Sequence, residues 1–260
     1  MLTSCSELSR ALGEPLAGTA PYAPRWLLIE HPAPWGRNAV AEAGFGDLEA
    51  RAKTSGVRVG LVRRVARPPT RGPRRIFLVS CAPPQPFVEV VAEPDPDAHG
   101  ERLEHPLYLV CTNGRRDVCC GRSGRELARA LTGELGERLW ETTHVGGHRF
   151  APNLVCLPHG LVYGRLDLDA ARQVVHAYEQ GRVELEHLRG RSALKPAAQA
   201  VEIFARRSTG RLDVDDDPAG ELGLRVEAEP LDPPRPESCG GEPKRPVAWR
   251  LVAPNDTKEP

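Results

Sequence analysis

The sequence predicts an α/β protein made of two similar strand–helix–strand units. An apolar run at residues 25–31 is followed by a plausible helix over 38–55 and a second apolar run at 57–64, which is the pattern of a βαβ unit. The stretches RWLLIEHPAPWGRNAV and PLYLVCTNGRRDVCCG form a weak internal repeat, because each joins an apolar strand through a polar loop to a helix. The N-terminal half is therefore expected to be a degenerate copy of the second unit.

Two consecutive strands complete the first unit. They are predicted at 74–82 and 87–93, and the prolines of CAPPQP between them exclude one continuous central strand. The following segment, 93–106, is polar, rich in turn residues and almost without apolar side chains. We therefore expect an N-terminal α/β domain over 1–95 and a linker over 96–105.

The second unit has a clearer order of elements. A strand at 106–111 precedes a helix over 124–139, whose apolar residues recur at helical spacing, and a strand at 138–144. APNLVCLP and GLVYGRL form a β-hairpin around His159, and Asp167 is the N-cap of a further helix. The order β-α-β-β-β-α, with the last two strands as a hairpin, is a thioredoxin-like layout. Both units are therefore expected to be thioredoxin-like, the first in degenerate form.

The remainder of the chain is expected to extend the second domain. A helix over about 194–207, with Pro196 near its first turn, completes a domain over 106–212. A C-terminal extension covers 213–260. Within it GLRVEAEP and PVAWRLVA are expected to pair as two late strands, and the final PNDTKEP to be disordered.

Charge and targeting signals exclude several classes of protein. Lys plus Arg and Asp plus Glu each number 35, so no net field favours nucleic acid or an anionic membrane. The N-terminus lacks the basic and apolar regions of a secretion signal, and no apolar run approaches the roughly 18–20 residues that span a bilayer. We expect a soluble, cytoplasmic protein without nucleic-acid or membrane partners. The odd number of cysteines, seven, argues against a disulfide framework and for thiols or metal ligands.

Three of the cysteines lie around one loop. Cys111 ends a predicted strand, and Cys119 and Cys120 begin the next helix, so the loop can bend two thiolates toward one point. The helix N-terminus and the neighbouring arginines are expected to lower the thiol pKa values. The other four cysteines are expected to pack as small buried hydrophobic residues. They are Cys5, Cys81, Cys156 and Cys239.

Two histidines supply further candidate ligands. The residues 145–147 between His144 and His148 are Val-Gly-Gly, which favours a tight loop over a helix, so both imidazoles can face one site. Two sulfur and two nitrogen donors fit either a structural zinc ion or a [2Fe–2S] cluster. The eight residues between Cys111 and Cys120 are too many for the usual zinc knuckle, whereas a two-iron cluster tolerates wider ligand separation.

These residues resemble a known family. CTNGRRDVCCGRSGRELARAL followed by HVGGHRFAPNLVCLPHGLVYGRL is similar to the sucrase/ferredoxin-like family, whose C-terminal half resembles the thioredoxin-like [2Fe–2S] ferredoxins. Cys120 followed by Gly124 matches the second cysteine of that pattern better than Cys119 does, and H-x3-H stands where the family-wide pattern has C-x3-C, as in its bis-histidinyl branch. The resemblance implies that the C-terminal unit is a thioredoxin-like ferredoxin. It also implies a [2Fe–2S] cofactor bound by Cys111, Cys120, His144 and His148.

Such a cofactor implies an iron–sulfur redox protein that transfers electrons, rather than a catalyst with its own substrate. Two neutral imidazoles in place of two thiolates raise the reduction potential, and their second ring nitrogens allow electron uptake to be coupled to proton uptake. Arginines in or beside the ligand loops are expected to dock an acidic redox partner, a flavoprotein reductase or a ferredoxin. They are Arg115, Arg116, Arg122, Arg125 and Arg149.

Two alternatives remain open on the same residues. One is a thioredoxin-like thiol–disulfide or peroxide oxidoreductase that uses Cys111 with Cys119 or Cys120 as a redox pair. It lacks a C-x-x-C motif and leaves the histidines unexplained. The other is a structural or binding protein with zinc at the four-ligand site. Both alternatives predict a colourless protein, whereas a [2Fe–2S] protein is red-brown.

Overall fold

The computed structural model describes residues 4–65 and 72–252, and its main sheet is built from two units of four strands. The first unit contains β1 (Arg25–Glu30), β2 (Val57–Arg63), β3 (Ile76–Ser80) and β4 (Phe87–Val91). β1 lies between β2, which is parallel to it, and β3, which is antiparallel to it, and β4 pairs antiparallel with β3. All four strands lie within or beside the apolar runs that predict them.

The helix of the first unit is interrupted. A π-helical turn (Ala41–Phe45) precedes α2 (Gly46–Thr54), and Gly44 within the turn has a φ of 88°. Because glycine alone adopts such a backbone conformation readily, the helix axis breaks at this residue. The continuous helix predicted over 38–55 is therefore wrong in its first half.

The second unit repeats this arrangement with β6 (Leu107–Cys111), β7 (Leu139–Thr142), β8 (Leu154–Leu157) and β9 (Leu161–Tyr163). β6 lies between the parallel β7 and the antiparallel β8, and β9 pairs antiparallel with β8. α3 (Arg125–Leu135) connects β6 to β7 and buries the predicted apolar stripe. Because strand order and directions match those of the first unit, the prediction of two thioredoxin-like α/β units is confirmed.

The two units form one continuous sheet because their edge strands pair. β2 and β7 are antiparallel, with Val62 opposite Thr142 and Arg63 opposite Glu141. Arg63 Nε donates a hydrogen bond of 2.6 Å to Glu141 Oε2, and both side chains are buried. Loss of either partner would leave a buried charge without this contact, which is strongly destabilising. The charged pair therefore helps to fix the register between the two units.

Short strands extend the sheet at both ends. β5 (Glu101–Arg102), which lies inside the predicted linker, pairs with β4. β10 (Leu188–Arg191), which the sequence did not indicate, pairs with β9. Among the described residues, the strand order of this sheet is β10-β9-β8-β6-β7-β2-β1-β3-β4-β5. The limits of independently folding domains stay a prediction.

The remaining helices have clear local signals at their N-termini. α1 (Cys5–Ala11) begins after Ser4, which forms a capping box with Glu7. α4 (Leu168–Glu179) begins after the predicted N-cap Asp167, and α5 (Pro196–Thr209) begins at Pro196. A short helix, α6 (Pro218–Leu222), follows. α1 and α6 are additions to the predicted elements.

The C-terminal extension contains two small sheets. β11 (Arg225–Pro230) and β14 (Val247–Val252) pair antiparallel, as expected from their sequences. β12 (Arg235–Pro236) pairs with β13 (Pro243–Lys244) between them. The tail expected to be disordered lies outside the described residues. Within 4–65 and 72–252, none of the helices combines the length and the apolar composition that crossing a membrane requires.

Candidate metal centre

The cysteine loop, residues 111–120, starts at the carboxyl end of a central strand. Cys111 is the last residue of β6, and Cys120 opens a π-helical turn (Cys120–Gly124) that leads into α3. A Cβ atom on Gly124 would overlap the carbonyl oxygen of Cys111, so the absence of a side chain allows the helix start to lie directly against the strand end. This close approach places the Cys120 thiol within hydrogen-bonding distance of Cys111.

Two buried polar residues hold the cysteine loop in shape. The carbonyl oxygen of Asn113 accepts hydrogen bonds of 3.2 Å from the backbone N–H groups of Arg116 and Asp117. Asp117 Oδ1 accepts a bond of 2.9 Å from the backbone N–H of Cys119. The turn that results presents the side chains of Cys119 and Cys120 to different neighbours.

The histidine loop, residues 143–148, leaves the same edge of the sheet. It follows β7, which is parallel to β6, so both loops start from the carboxyl ends of adjacent strands. Gly146 and Gly147 have φ values of 91° and 72°, a conformation that non-glycine residues rarely adopt. This bend stacks the rings of His144 and His148, with centroids 3.9 Å apart and planes 16° from parallel. The predicted glycine-dependent turn is confirmed.

A buried arginine supports the histidine loop from β10. Arg189 is 1% exposed, and its Nη1 donates to the carbonyl oxygen of Gly146 at 3.0 Å and to Asn153 Oδ1 at 2.8 Å. Asn153 Nδ2 in turn donates to the carbonyl oxygen of Gly147 at 3.1 Å. Burial lowers the pKa of Arg189 to about 9. No sequence pattern indicates either supporting residue, because their role depends on contacts between distant segments.

The side chains of the four predicted ligands contact one another in a closed circle, the ligand ring. The Cys111 sulfur lies within hydrogen-bonding distance of the Cys120 thiol and the His144 ring. Cys120 Sγ is 3.6 Å from His148 Nδ1, and His148 stacks on His144, which closes the ring. Cys119 Sγ instead contacts Cys5, Ser6 and Cys239. Of the two adjacent cysteines, Cys120 is therefore the one that faces the histidines.

Access to this ring is one-sided. Cys111, Cys120 and His148 are buried, whereas His144 is partly exposed. His144 lines a cavity of about 710 Å³, and its carbonyl oxygen accepts a hydrogen bond of 2.7 Å from Arg58 Nη2. Of the four side chains in the ligand ring, His144 is thus the one that reaches solvent.

The protonation states in the ring are coupled. Hydrogen bonds from the Cys120 thiol and the His144 ring hold the pKa of Cys111 well below its ordinary value, and the same shared proton raises the pKa of Cys120. Burial and the neighbouring His144 lower the pKa of His148 to about 4, so this imidazole is neutral. The expectation of lowered thiol pKa values is therefore wrong for Cys120. A metal bound here would displace the shared proton and be held by two thiolates.

A second group of thiols lies beside the same loop. Cys119 Sγ is 3.6 Å from Cys5 Sγ and 3.3 Å from Cys239 Sγ, and the last two are 3.6 Å apart. Cys81 and Cys156 are buried as expected, but Cys5 and Cys239 converge on Cys119 instead of packing alone. No short motif could indicate this, because Cys5 and Cys239 are separated by 234 positions.

Comparison with known proteins finds a family model that matches more than half of the chain. The model of the sucrase/ferredoxin-like family matches residues 16–190, a range that includes the ring of thiols and imidazoles. The family assignment supports a ferredoxin-like redox protein and is compatible with a metal cofactor. The chain belongs to the sucrase/ferredoxin-like family, as its motifs predict.

A relative of this chain is also found among fungal proteins. Over 95 residues the chain is 35% identical to altered inheritance of mitochondria protein 32 of Meyerozyma guilliermondii, an alignment that covers 32% of this chain and 34% of that protein. The chain thus spans about a third of the length of this relative. No solved structure matches the chain.

Proposed function

We propose that the protein is an electron carrier whose [2Fe–2S] cluster is bound by Cys111, Cys120, His144 and His148. The observation that carries the proposal is the convergence of two thiols and two imidazoles from loops at the same edge of the sheet. Two thiolates and two neutral imidazoles are also the ligand count of Rieske-type clusters. When bound, the cluster supplies a one-electron redox centre.

The spread of the donor atoms favours two metal ions over one. In the described parts of the chain, the groups of His, Cys, Asp or Glu whose donor atoms all lie within 4.8 Å of one another do not include these four residues. A single zinc ion would require all four donors around one tetrahedron. The contacts instead run from residue to residue around the group: Cys111 contacts Cys120 and His144, and Cys120 contacts His148. Donors spread in this way suit a two-iron cluster in which each iron receives two protein ligands.

The environment of the thiols disfavours a thiol–disulfide or peroxide oxidoreductase. A reactive cysteine must reach its substrate as an accessible thiolate. Cys111 and Cys120 are each 1% exposed. The S–H of Cys120 donates a hydrogen bond to Cys111, which raises the pKa of Cys120 and keeps this thiol protonated. The same alternative gives the stacked histidines no role. An electron carrier uses the site without substrate access to sulfur, since electrons and protons can leave through the partly exposed His144.

An acidic redox partner, a flavoprotein reductase or a ferredoxin, fits the face around His144. Of the described residues that line the cavity there, Arg37, Lys53, Arg58 and Arg116 are basic and Glu49 is acidic. Complementary charge would steer a negatively charged partner toward this face. Among the predicted docking arginines, Arg149 is instead paired with Glu14 and Glu237 and adds little net charge.

A cytoplasmic location is part of the proposal. All seven cysteines are described and none forms a disulfide, which suits a reducing compartment. A buried thiol pair left without metal in an oxidising compartment would be open to oxidation.

Iron and acid-labile sulfide assays on freshly isolated protein test the cluster directly. We expect about two iron and two sulfide ions per chain, together with visible absorption that disappears in Cys111→Ala. The control is Cys156→Ala, which truncates a buried thiol in β8 that packs in a different apolar cluster from Cys111 and Cys120. A colourless, anaerobically purified protein without acid-labile sulfide would refute the cluster.

A further inference from the structure

We propose that Cys5, Asp117, Cys119 and Cys239 form a separate site for a single zinc ion. These residues belong to three distant parts of the chain: α1, the cysteine loop, and the turn between β12 and β13. Their donor atoms all lie within 4.8 Å of one another. The [2Fe–2S] assignment uses none of these side chains, so the zinc site stands independently of it.

The three sulfur atoms already form the face of a tetrahedron. A zinc–sulfur bond of about 2.3 Å and tetrahedral angles require sulfur atoms about 3.8 Å apart. The observed sulfur–sulfur distances are 3.3 Å, 3.6 Å and 3.6 Å. Each edge therefore expands by only a few tenths of an ångström when an ion enters.

Asp117 is placed to supply the fourth ligand. Its oxygens lie 3.9 Å and 4.0 Å from Cys5 Sγ, close to the roughly 3.6 Å expected between sulfur and oxygen ligands of one zinc ion. The backbone N–H groups of Cys119 and Cys239 donate to these oxygens at 2.9 Å. These bonds hold the buried carboxylate beside the sulfur triangle and leave each oxygen a lone pair for the ion.

The donor set and its burial favour zinc over other occupants. Thiolates select zinc, copper(I) or iron–sulfur clusters, and a carboxylate oxygen in the same set favours zinc over copper(I). Cys5, Asp117 and Cys119 are buried and Cys239 is half-buried, which is typical of a closed structural site. The Ser6 hydroxyl donates a hydrogen bond of 3.2 Å to Cys119 Sγ, as outer groups commonly do for metal ligands. A disulfide would use two sulfurs and leave the third thiol and Asp117 unused.

Zinc at this site would join the ends of the chain to the cysteine loop. Cys119 precedes the proposed cluster ligand Cys120, so the ion would anchor the backbone on which Cys120 stands. The role of Cys119 is then to bind zinc, while Cys120 faces the histidines.

Metal analysis of the full chain and three variants tests the zinc site. Cys239→Ser removes one zinc ligand, and Cys81→Ala is the control for loss of an unrelated buried thiol. The double variant Cys111→Ala/Cys120→Ala removes the proposed cluster ligands, so its zinc cannot come from the other centre. Each protein is incubated with Zn²⁺, freed of excess metal, and analysed for zinc, iron and sulfide. In a second experiment, Co²⁺ is added to metal-free samples and the thiolate-to-cobalt charge-transfer absorption is recorded.

We expect about one zinc ion per chain in the wild type, in Cys81→Ala and in the double variant. Cys239→Ser should retain less than about a fifth of that zinc and give weaker cobalt absorption, because one thiolate is lost. Its iron and sulfide should equal those of the wild type. Wild-type zinc retention in Cys239→Ser, a wild-type protein that retains no zinc, or a Cys119–Cys239 disulfide in freshly alkylated protein would each overturn the proposal. Loss of iron with retention of zinc in the double variant would support the zinc site whatever the fate of the cluster.

Discussion

Gly124 and Gly133 provide a matched test of how Cys111 and Cys120 are brought together. Gly124 has helical backbone angles, φ −66° and ψ −41°, and Gly133 lies in α3 with open space where a Cβ would be. On helix propensity alone, alanine stabilises either position by about 0.5–1 kcal/mol. A Cβ at Gly124, however, would overlap the carbonyl oxygen of Cys111 and lie 3.2 Å from its carbonyl carbon. Because both groups are backbone, the helix start must move away from β6.

The two substitutions should therefore have opposite effects on stability. Overpacking of this kind costs about 1–3 kcal/mol, and 1 kcal/mol shifts the Tm of a chain of this size by about 2–4 °C. We expect Gly124→Ala to lower the Tm by several degrees and to reduce bound iron, because Cys120 moves with the helix start. Gly133→Ala should raise the Tm slightly and keep its iron. Calorimetry and iron analysis of both variants decide the matter: a Gly124→Ala protein as stable and as iron-rich as Gly133→Ala would refute the close-approach argument.

Four further predictions concern the ligands and their protonation. Cys120→Ala should abolish visible absorption whereas Cys119→Ala should keep it, and the reverse result would mean that the ligand assignment is off by one residue. His148→Cys should keep a cluster with a lower midpoint potential, because a thiolate adds negative charge. The wild-type potential, measured by voltammetry, should fall with rising pH, because imidazole protonation accompanies reduction. A potential that does not change between about pH 6 and 10 would contradict this coupling. In cluster-free protein, His148 has a native pKa of about 4 against 6.5 when unfolded, so the unfolded state binds more protons between these values and stability falls as the pH falls. The free energy of unfolding in urea should then be about 2 kcal/mol lower at pH 5 than at pH 7, and His148→Gln should lose that part of the pH dependence.

Much of the second unit could be predicted because its signals are local. The apolar stripe of α3 and the N-cap Asp167 each act within a few residues of the elements they define. β10 was missed because Leu188–Arg191 contains two arginines and a glycine, yet all four residues are buried. Arg189 and Arg191 are buried at acceptable cost only because distant partners bond them, Asn153 and Glu202. No local hydrophobic pattern carries that information.

The candidate site was likewise predictable only where its signals are local in the sequence. The four ring residues were indicated by two short motifs, and Gly124 helped to choose Cys120 over Cys119. The direction of the Cys120 pKa shift was not predictable, because it depends on a proton shared with Cys111 in three dimensions. The meeting of Cys5 with Cys239 joins opposite ends of the chain, so sequence spacing offers no sign of it.

The pairing of β2 with β7 has a consequence for the half of the molecule that contributes none of the four ring residues. Without that half, β7 would be the last strand of the five-stranded sheet β10-β9-β8-β6-β7 and would present unpaired backbone groups to solvent, a known route to association between chains. The N-terminal unit covers this edge through β2, while His144, just beyond Thr142, stays partly exposed. A unit that supplies none of the four proposed ligands can thus protect the other unit from its own copies.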